Sequence, residues 1–149
     1  MTTKKIMMAG LLFITSLMVG LESKAQQKNI PAKVRATGES KSGGQKILQW
    51  IKDDLRGYYV ASLANGSVLT VDLNGKWLQS IHPVLDKKFP PIVSAAINPY
   101  RVKGYEIDNM VIVEDATLGK YYNADVSSDE DTTTLYIDPK GKVFKKVKQ

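Results

Sequence analysis

The sequence predicts an α+β protein: an antiparallel β-sheet from two tandem meander repeats, with a short helix over about residues 90–98 packed on one face. Three observations predict it. Two dipeptides, Asn65-Gly66 and Asn74-Gly75, separate runs rich in β-favouring side chains. They mark hairpins, because a type I′ turn needs positive φ at both central residues. Pro90-Pro91 opens an apolar stretch with helical spacing. The strand-and-turn pattern of the first half then recurs in the second.

The chain has 149 residues. Lys4 and Lys5 precede an apolar run from Ile6 to Val19, and small residues follow at Ser23 and Ala25. This reads as a signal peptide over residues 1–25, cut after Ala25. The run is too short for a comfortable membrane span, and no later stretch is long enough for one. The expectation is an exported protein, periplasmic or secreted. Residues 26–45 read as a flexible N-terminal arm. Pro31 to Ala36 offers at most two helical turns, and Thr37 to Gly44 is a polar Gly/Ser tract. Residues 46–149 read as a single domain with repeat units of about 46–81 and 90–147.

Within that domain, Lys46 to Leu55 fits either a helix (Ile47, Leu48, Ile51, Leu55) or an alternating strand. The repeat favours the strand, because it sets Leu48 and Trp50 against Val111 and Val113. Strands follow at Tyr58–Leu63, Val68–Leu73 and Lys76–Ile81. In the helix, Ile92, Val93, Ala96 and Ile97 share one face. Pro99 should push Asn98 out of the helical region and end it there. Tyr105–Glu114, Tyr121–Val126, Thr132–Asp138 and Lys142–Val147 read as four more strands.

Composition removes much chemistry. There is no cysteine and one histidine. Disulfides, thiolate metal sites and a cysteine nucleophile are excluded. His82 has no G-x-S-x-G or comparable partner and reads as a loop or edge residue. No catalytic residue, metal site or cofactor is expected. Asp53-Asp54 and Asp129-Glu130-Asp131 read as solvated acidic clusters. The formal charge is +6, partly from the leader, and nothing suggests nucleic-acid binding. Lys140, Lys142, Lys145, Lys146 and Lys148 split between two strand faces, where lysines discourage edge-to-edge pairing.

Two-residue turns at both Asn-Gly sites would set Val60 opposite Val71 and Val71 opposite Leu78. Val60, Val71 and Leu78, with Tyr58 and Leu69, would then form an aliphatic core face. Tyr59, Asp72 and Trp77, with Thr70 and Gln79, would lie on the other face as the candidate protein-binding surface. The apolar positions of Tyr121 to Val126 fall on the opposite parity.

The repeat itself is explicit. Gly57-Tyr58-Tyr59-Val60-Ala61 returns as Lys120-Tyr121-Tyr122-Asn123-Ala124. Val71-Asp72-Leu73-Asn74-Gly75-Lys76-Trp77-Leu78 returns as Ile137-Asp138-Pro139-Lys140-Gly141-Lys142-Val143-Phe144. Together with Phe89-Pro90-Pro91-Ile92-Val93-Ser94-Ala95-Ala96-Ile97 and Gly104-Tyr105-Glu106-Ile107, these segments resemble the PepSY-like domains of exported Bacteroidota proteins. Those are similar in fold to the β-lactamase inhibitor protein. The resemblance runs from about Trp50 to Lys146. It implies helices on one sheet face, the other face open to a partner, and no catalysis. The family's first unit opens with a full amphipathic helix, of which Pro31 to Gly44 offers a remnant. The expected function is non-enzymatic recognition, and possible inhibition, of an unidentified exported or envelope protein. The alternative is a small-ligand or envelope-stress accessory protein using a helix–sheet pocket.

Overall fold

A computed structural model describes residues 29–86 and 88–149; the expected leader lies outside the described residues. Helix α1 (Ala32–Lys41) precedes strands β1 (Ile47–Asp53), β2 (Tyr58–Leu63), β3 (Val68–Asp72) and β4 (Trp77–Pro83). Helix α2 (Pro91–Val102) then leads into β5 (Glu106–Asp115), β6 (Gly119–Ser127), β7 (Thr132–Ile137) and β8 (Val143–Lys148). The eight strands form one sheet in sequence order, each pairing antiparallel with the next. The predicted fold class is the observed one.

The first correction is at residues 26–45. Residues 32–41 are a helix packed on the sheet, not part of a flexible arm. Ile30, Val34 and Gly38 recur every four residues and face the strands, where Val34 is 0% exposed. Fully burying one such valine is worth about 1.5–3 kcal/mol. Gly38 looked like linker glycine, but its job is close approach. A Cβ at Gly38 would lie 2.6 Å from the Trp50 ring. Helix α1 is short of apolar side chains because Trp50 rises to fill the space.

The second helix runs past its predicted end, through Pro99 to Val102. A proline in the last turn removes only one backbone donor. Tyr100, one residue further on, packs against the core beneath α2 and stacks edge-on with Tyr105 at 5.6 Å.

The third correction sets the faces. Among the described residues, the only non-glycine with positive φ is Asn109, so neither Asn65 nor Asn74 makes a type I′ turn. Each hairpin instead has a three-residue loop with only its glycine left-handed. Leu63 N–H donates to Ser67 O at 2.9 Å, and Asp72 N–H donates to Lys76 O at 2.9 Å. The pairing slips by one residue: Tyr59 faces Val71, and Val60 faces Thr70. A one-residue slip moves every side chain to the other sheet face. Tyr59, Ala61, Leu63, Leu69 and Val71 therefore join Trp50 beneath α1. Tyr122, Ala124 and Val126 do the same beneath α2, with Met110, Leu135 and Ile137. The parity conflict between the two units disappears.

The hairpin part of the repeat is reproduced in detail, but the match of Trp50 with Val113 is not: Trp50 lies beneath α1, while Val111 and Val113 lie on the other face. Asp72 Oδ1 accepts from the N–H of Asn74 and Lys76, and Asp138 Oδ1 from the N–H of Lys140 and Lys142. Each loop ends in a left-handed glycine, Gly75 at φ 87° and Gly141 at φ 82°. Each glycine touches the second residue of its helix: Lys33 in α1, Ile92 in α2. The sheet bulges after each loop, between Val71 and Thr70 and between Ile137 and Tyr136.

Candidate binding face

Both helices cover the same side of the sheet. The other side carries Val60, Val68, Ile81, Val111, Val113 and Tyr121, with Tyr58 and Tyr136 against them. These side chains are buried by their cross-strand neighbours, Val113 to 1% exposure, although neither helix lies over them. At one end of this face three aromatics meet. Tyr121 lies 5.9 Å from Tyr136 and 5.8 Å from Phe144, and Tyr136 lies 6.1 Å from Phe144. Phe144 is the outermost, 42% exposed. Lys145 places its ammonium 4.9 Å from the Tyr136 ring centre.

Polar groups order this surface. Gln79 Nε2 donates to Asp115 Oδ2 at 3.1 Å and to Tyr121 Oη at 3.2 Å. Burial, followed by the charge of Asp115 and then Tyr136, pushes the Tyr121 phenol up to about 12. Burial and then the charge of Asp125 also raise Tyr136. Both phenols keep their protons at neutral pH.

The five residues expected to form the binding surface are divided. Thr70 and Gln79 are cross-strand partners on the open face. Tyr59 is 6% exposed under α1, edge-on to Trp50 at 6.5 Å. Trp77 lies on the covered side; its Nε1 donates to Ser80 Oγ at 2.9 Å, and Lys41 sits 4.3 Å above its ring. Asp72 spends one carboxylate oxygen on the turn amides. The slip in register separates them. The aromatics that do assemble, Tyr121, Tyr136 and Phe144, were outside the sequence-based set. Tyr121 was visible as the repeat of Tyr58, and Phe144 as the repeat of Leu78.

His82 occupies a central strand, not a loop or edge. Its Nδ1 lies 2.9 Å from Ser67 Oγ, and its Nε2 lies 3.7 Å from Glu114 Oε2. A serine, an imidazole and a carboxylate in contact invite comparison with a hydrolase triad. Ser67 is 1% exposed, so its hydroxyl cannot reach a substrate carbonyl. The three groups join the loop before β3 to β4 and β5 on the covered side.

Among the described residues, no three His, Asp or Glu side chains converge as metal ligands. The acidic clusters have local partners: Asp54 pairs with Lys52 at 2.6 Å and Asp131 with Lys148 at 2.7 Å. A cleft of about 310 Å³ between α1 and β1 is lined by Arg35, Glu39, Ser42, Gln45, Lys46, Ile47 and Trp50. Its lining is mostly polar, unlike the apolar pocket of the ligand-binding alternative. No helix among the described residues is long and apolar enough to cross a membrane.

Two helices on one face of an open eight-stranded sheet, the other face uncovered, define the class: the fold of β-lactamase-inhibitor-like proteins. The chain resembles a BLIP-like protein from Bacteroides fragilis, with a TM-score of 0.70 and 19% identity over 79% of this chain and 85% of that one. It also resembles a DUF2874 family protein from Bacteroides ovatus, with a TM-score of 0.67 and 24% identity over 79% and 86%. A periplasmic-protein candidate from Bacteroides eggerthii gives 0.66 and 18% over 79% and 88%. No family model and no curated protein matches the chain.

Proposed function

We propose that this chain is an exported, non-catalytic binding protein whose open sheet face recognises another periplasmic or secreted protein. The observation that supports the reading best is the trio Tyr121, Tyr136 and Phe144 on a face that neither helix covers. Rigid aromatics give large contact area at small entropic cost and dominate protein interfaces. Thr70 and Gln79 supply polar contacts on the same face. The likeness to a BLIP-like fold lends support by analogy, and a PepSY-like ancestry belongs to the same reading. Inhibition of an enzyme is its sharper form.

The test is affinity capture from envelope extract with the exported chain as bait. Wild type and Trp77→Ala should retain the same protein, because Trp77 lies on the covered side. Phe144→Asp should lose it while circular dichroism shows an unchanged fold. Equal capture by Phe144→Asp would sink the open-face reading.

A further inference from the structure

The open face of the second half contains a group of acceptors that the fold itself does not use up. Asn123 and Asp125 stand two apart on β6 and project to this face, 9% and 5% exposed. Asn123 Oδ1 is buried and has no hydrogen-bond partner. A buried acceptor is destabilising unless something pairs with it. Asp125 Oδ1 accepts from Thr134 Oγ1 at 2.6 Å, and Oδ2 accepts from Asn109 Nδ2 at 2.8 Å. Each carboxylate oxygen keeps a second lone pair.

Directly opposite Asp125 on β5 stands Asp108, an exposed carboxylate on the same face. Like charges set opposite each other in an antiparallel pair are destabilising. None of the ion pairs among the described residues uses Asp108 or Asp125. Glu106, opposite Ser127, continues the acidic strip. Asn109 adopts φ 48° in the bulge that separates Asp108 from Val111, and that conformation brings its amide to Asp125. Strain of this kind is held where surrounding structure enforces it, often at binding sites. Tyr136, the cross-strand partner of Asn123, borders the strip, and its ring already carries Lys145 of the same chain.

We propose that this recess seats a lysine or arginine side chain of the protein partner, its charged head between Asp108 and Asp125. The cation relieves the opposed carboxylates and gives Asn123 Oδ1 a donor. The proposal rests on the open-face reading and names the chemistry that face selects.

A ¹H–¹⁵N titration with Nα-acetyl-arginine amide tests it. The amides of Asn109, Asn123, Asp125 and Thr134 should shift and saturate. The neutral isostere Nα-acetyl-citrulline amide should leave them in place. Asp108→Asn, which breaks no hydrogen bond of the fold, should weaken arginine binding by up to about fivefold. Asp125→Asn should abolish it. Equal shifts with citrulline, or an unchanged titration in Asp108→Asn, overturn the recess. Calcium chloride producing the same saturable shifts also overturns it, in favour of a metal site. Capture retained by Phe144→Asp is a different failure: it removes the open-face reading, and the arginine titration still decides the recess.

Discussion

The two halves of the sheet share a frame and fill it in opposite ways. Each helix follows a proline at its N-cap, buries a valine early, and presses its second residue on a hairpin glycine. In the first half the helix contributes Gly38 and the strand contributes Trp50. In the second half the helix contributes Ile97, fully buried, over a strand layer that includes Met110. Bulk has moved from strand to helix without changing the layer. The fixed points are therefore the loops and glycines, while interior volume can be traded between facing positions.

The largest expected effect strikes the shared frame. Gly141→Ala forces a left-handed alanine and drives its Cβ into the Ile92 carbonyl. The backbone penalty of about 1–2 kcal/mol adds to an overpacking cost. A loss of about 3 kcal/mol in urea unfolding is expected. Gly75→Ala, pressed on Lys33, should cost nearly as much. A neutral Gly141→Ala would show that the frame is not held by that contact.

A smaller effect separates the halves. Gly38→Ala should destabilise by about 1–2 kcal/mol despite alanine's better helix propensity, because the Trp50 ring occupies the space. Adding Trp50→Leu should recover part of that loss. If the double variant is no more stable than Gly38→Ala alone, volume trading is not how α1 packs.

The last effect, a loss of stability seen only above about pH 10, belongs to the open face. The folded Tyr121 phenol titrates at about 12, above its ordinary value of 10. The native state therefore holds that proton more tightly than the unfolded chain. Its contribution is complete below about pH 10 and is lost as pH rises through about 12. Urea unfolding of Tyr121→Phe should lose less stability over this range than wild type. Parallel pH profiles would remove Tyr121 from the account.

The order of the strands and the helix after Phe89 were legible because alternation, turn dipeptides and the repeat all agreed. The faces were not, because they depended on one residue of loop length. Asn-Gly fits a two-residue loop, but it also fits the last two positions of a three-residue loop with a left-handed glycine. Asp72 and Asp138, each three residues before its loop glycine, mark the longer loop at Gly75 and Gly141, whereas Leu63 holds that place before Gly66 and gives no such mark. Helix α1 was hidden for a different reason. Its core contact is supplied by Trp50, so its own sequence carries little apolar stripe. The candidate surface followed the faces: Tyr59 and Trp77 lie under α1, and the aromatics that meet on the other face are Tyr121, Tyr136 and Phe144.

The joining of the halves has a consequence for assembly. β4 meets β5 head to tail, as an end of one unit against the beginning of the next. A contact of that kind does not close on itself and could in principle continue without limit, adding the β1 of one molecule to the β8 of another. The outer strands are dressed against it. β8 carries Lys145, Lys146 and Lys148, and β1 carries Lys52. Charged side chains along an edge strand disfavour pairing with another edge, and on β8 Lys145 and Lys146, which take part in none of the ion pairs among the described residues, hold that place.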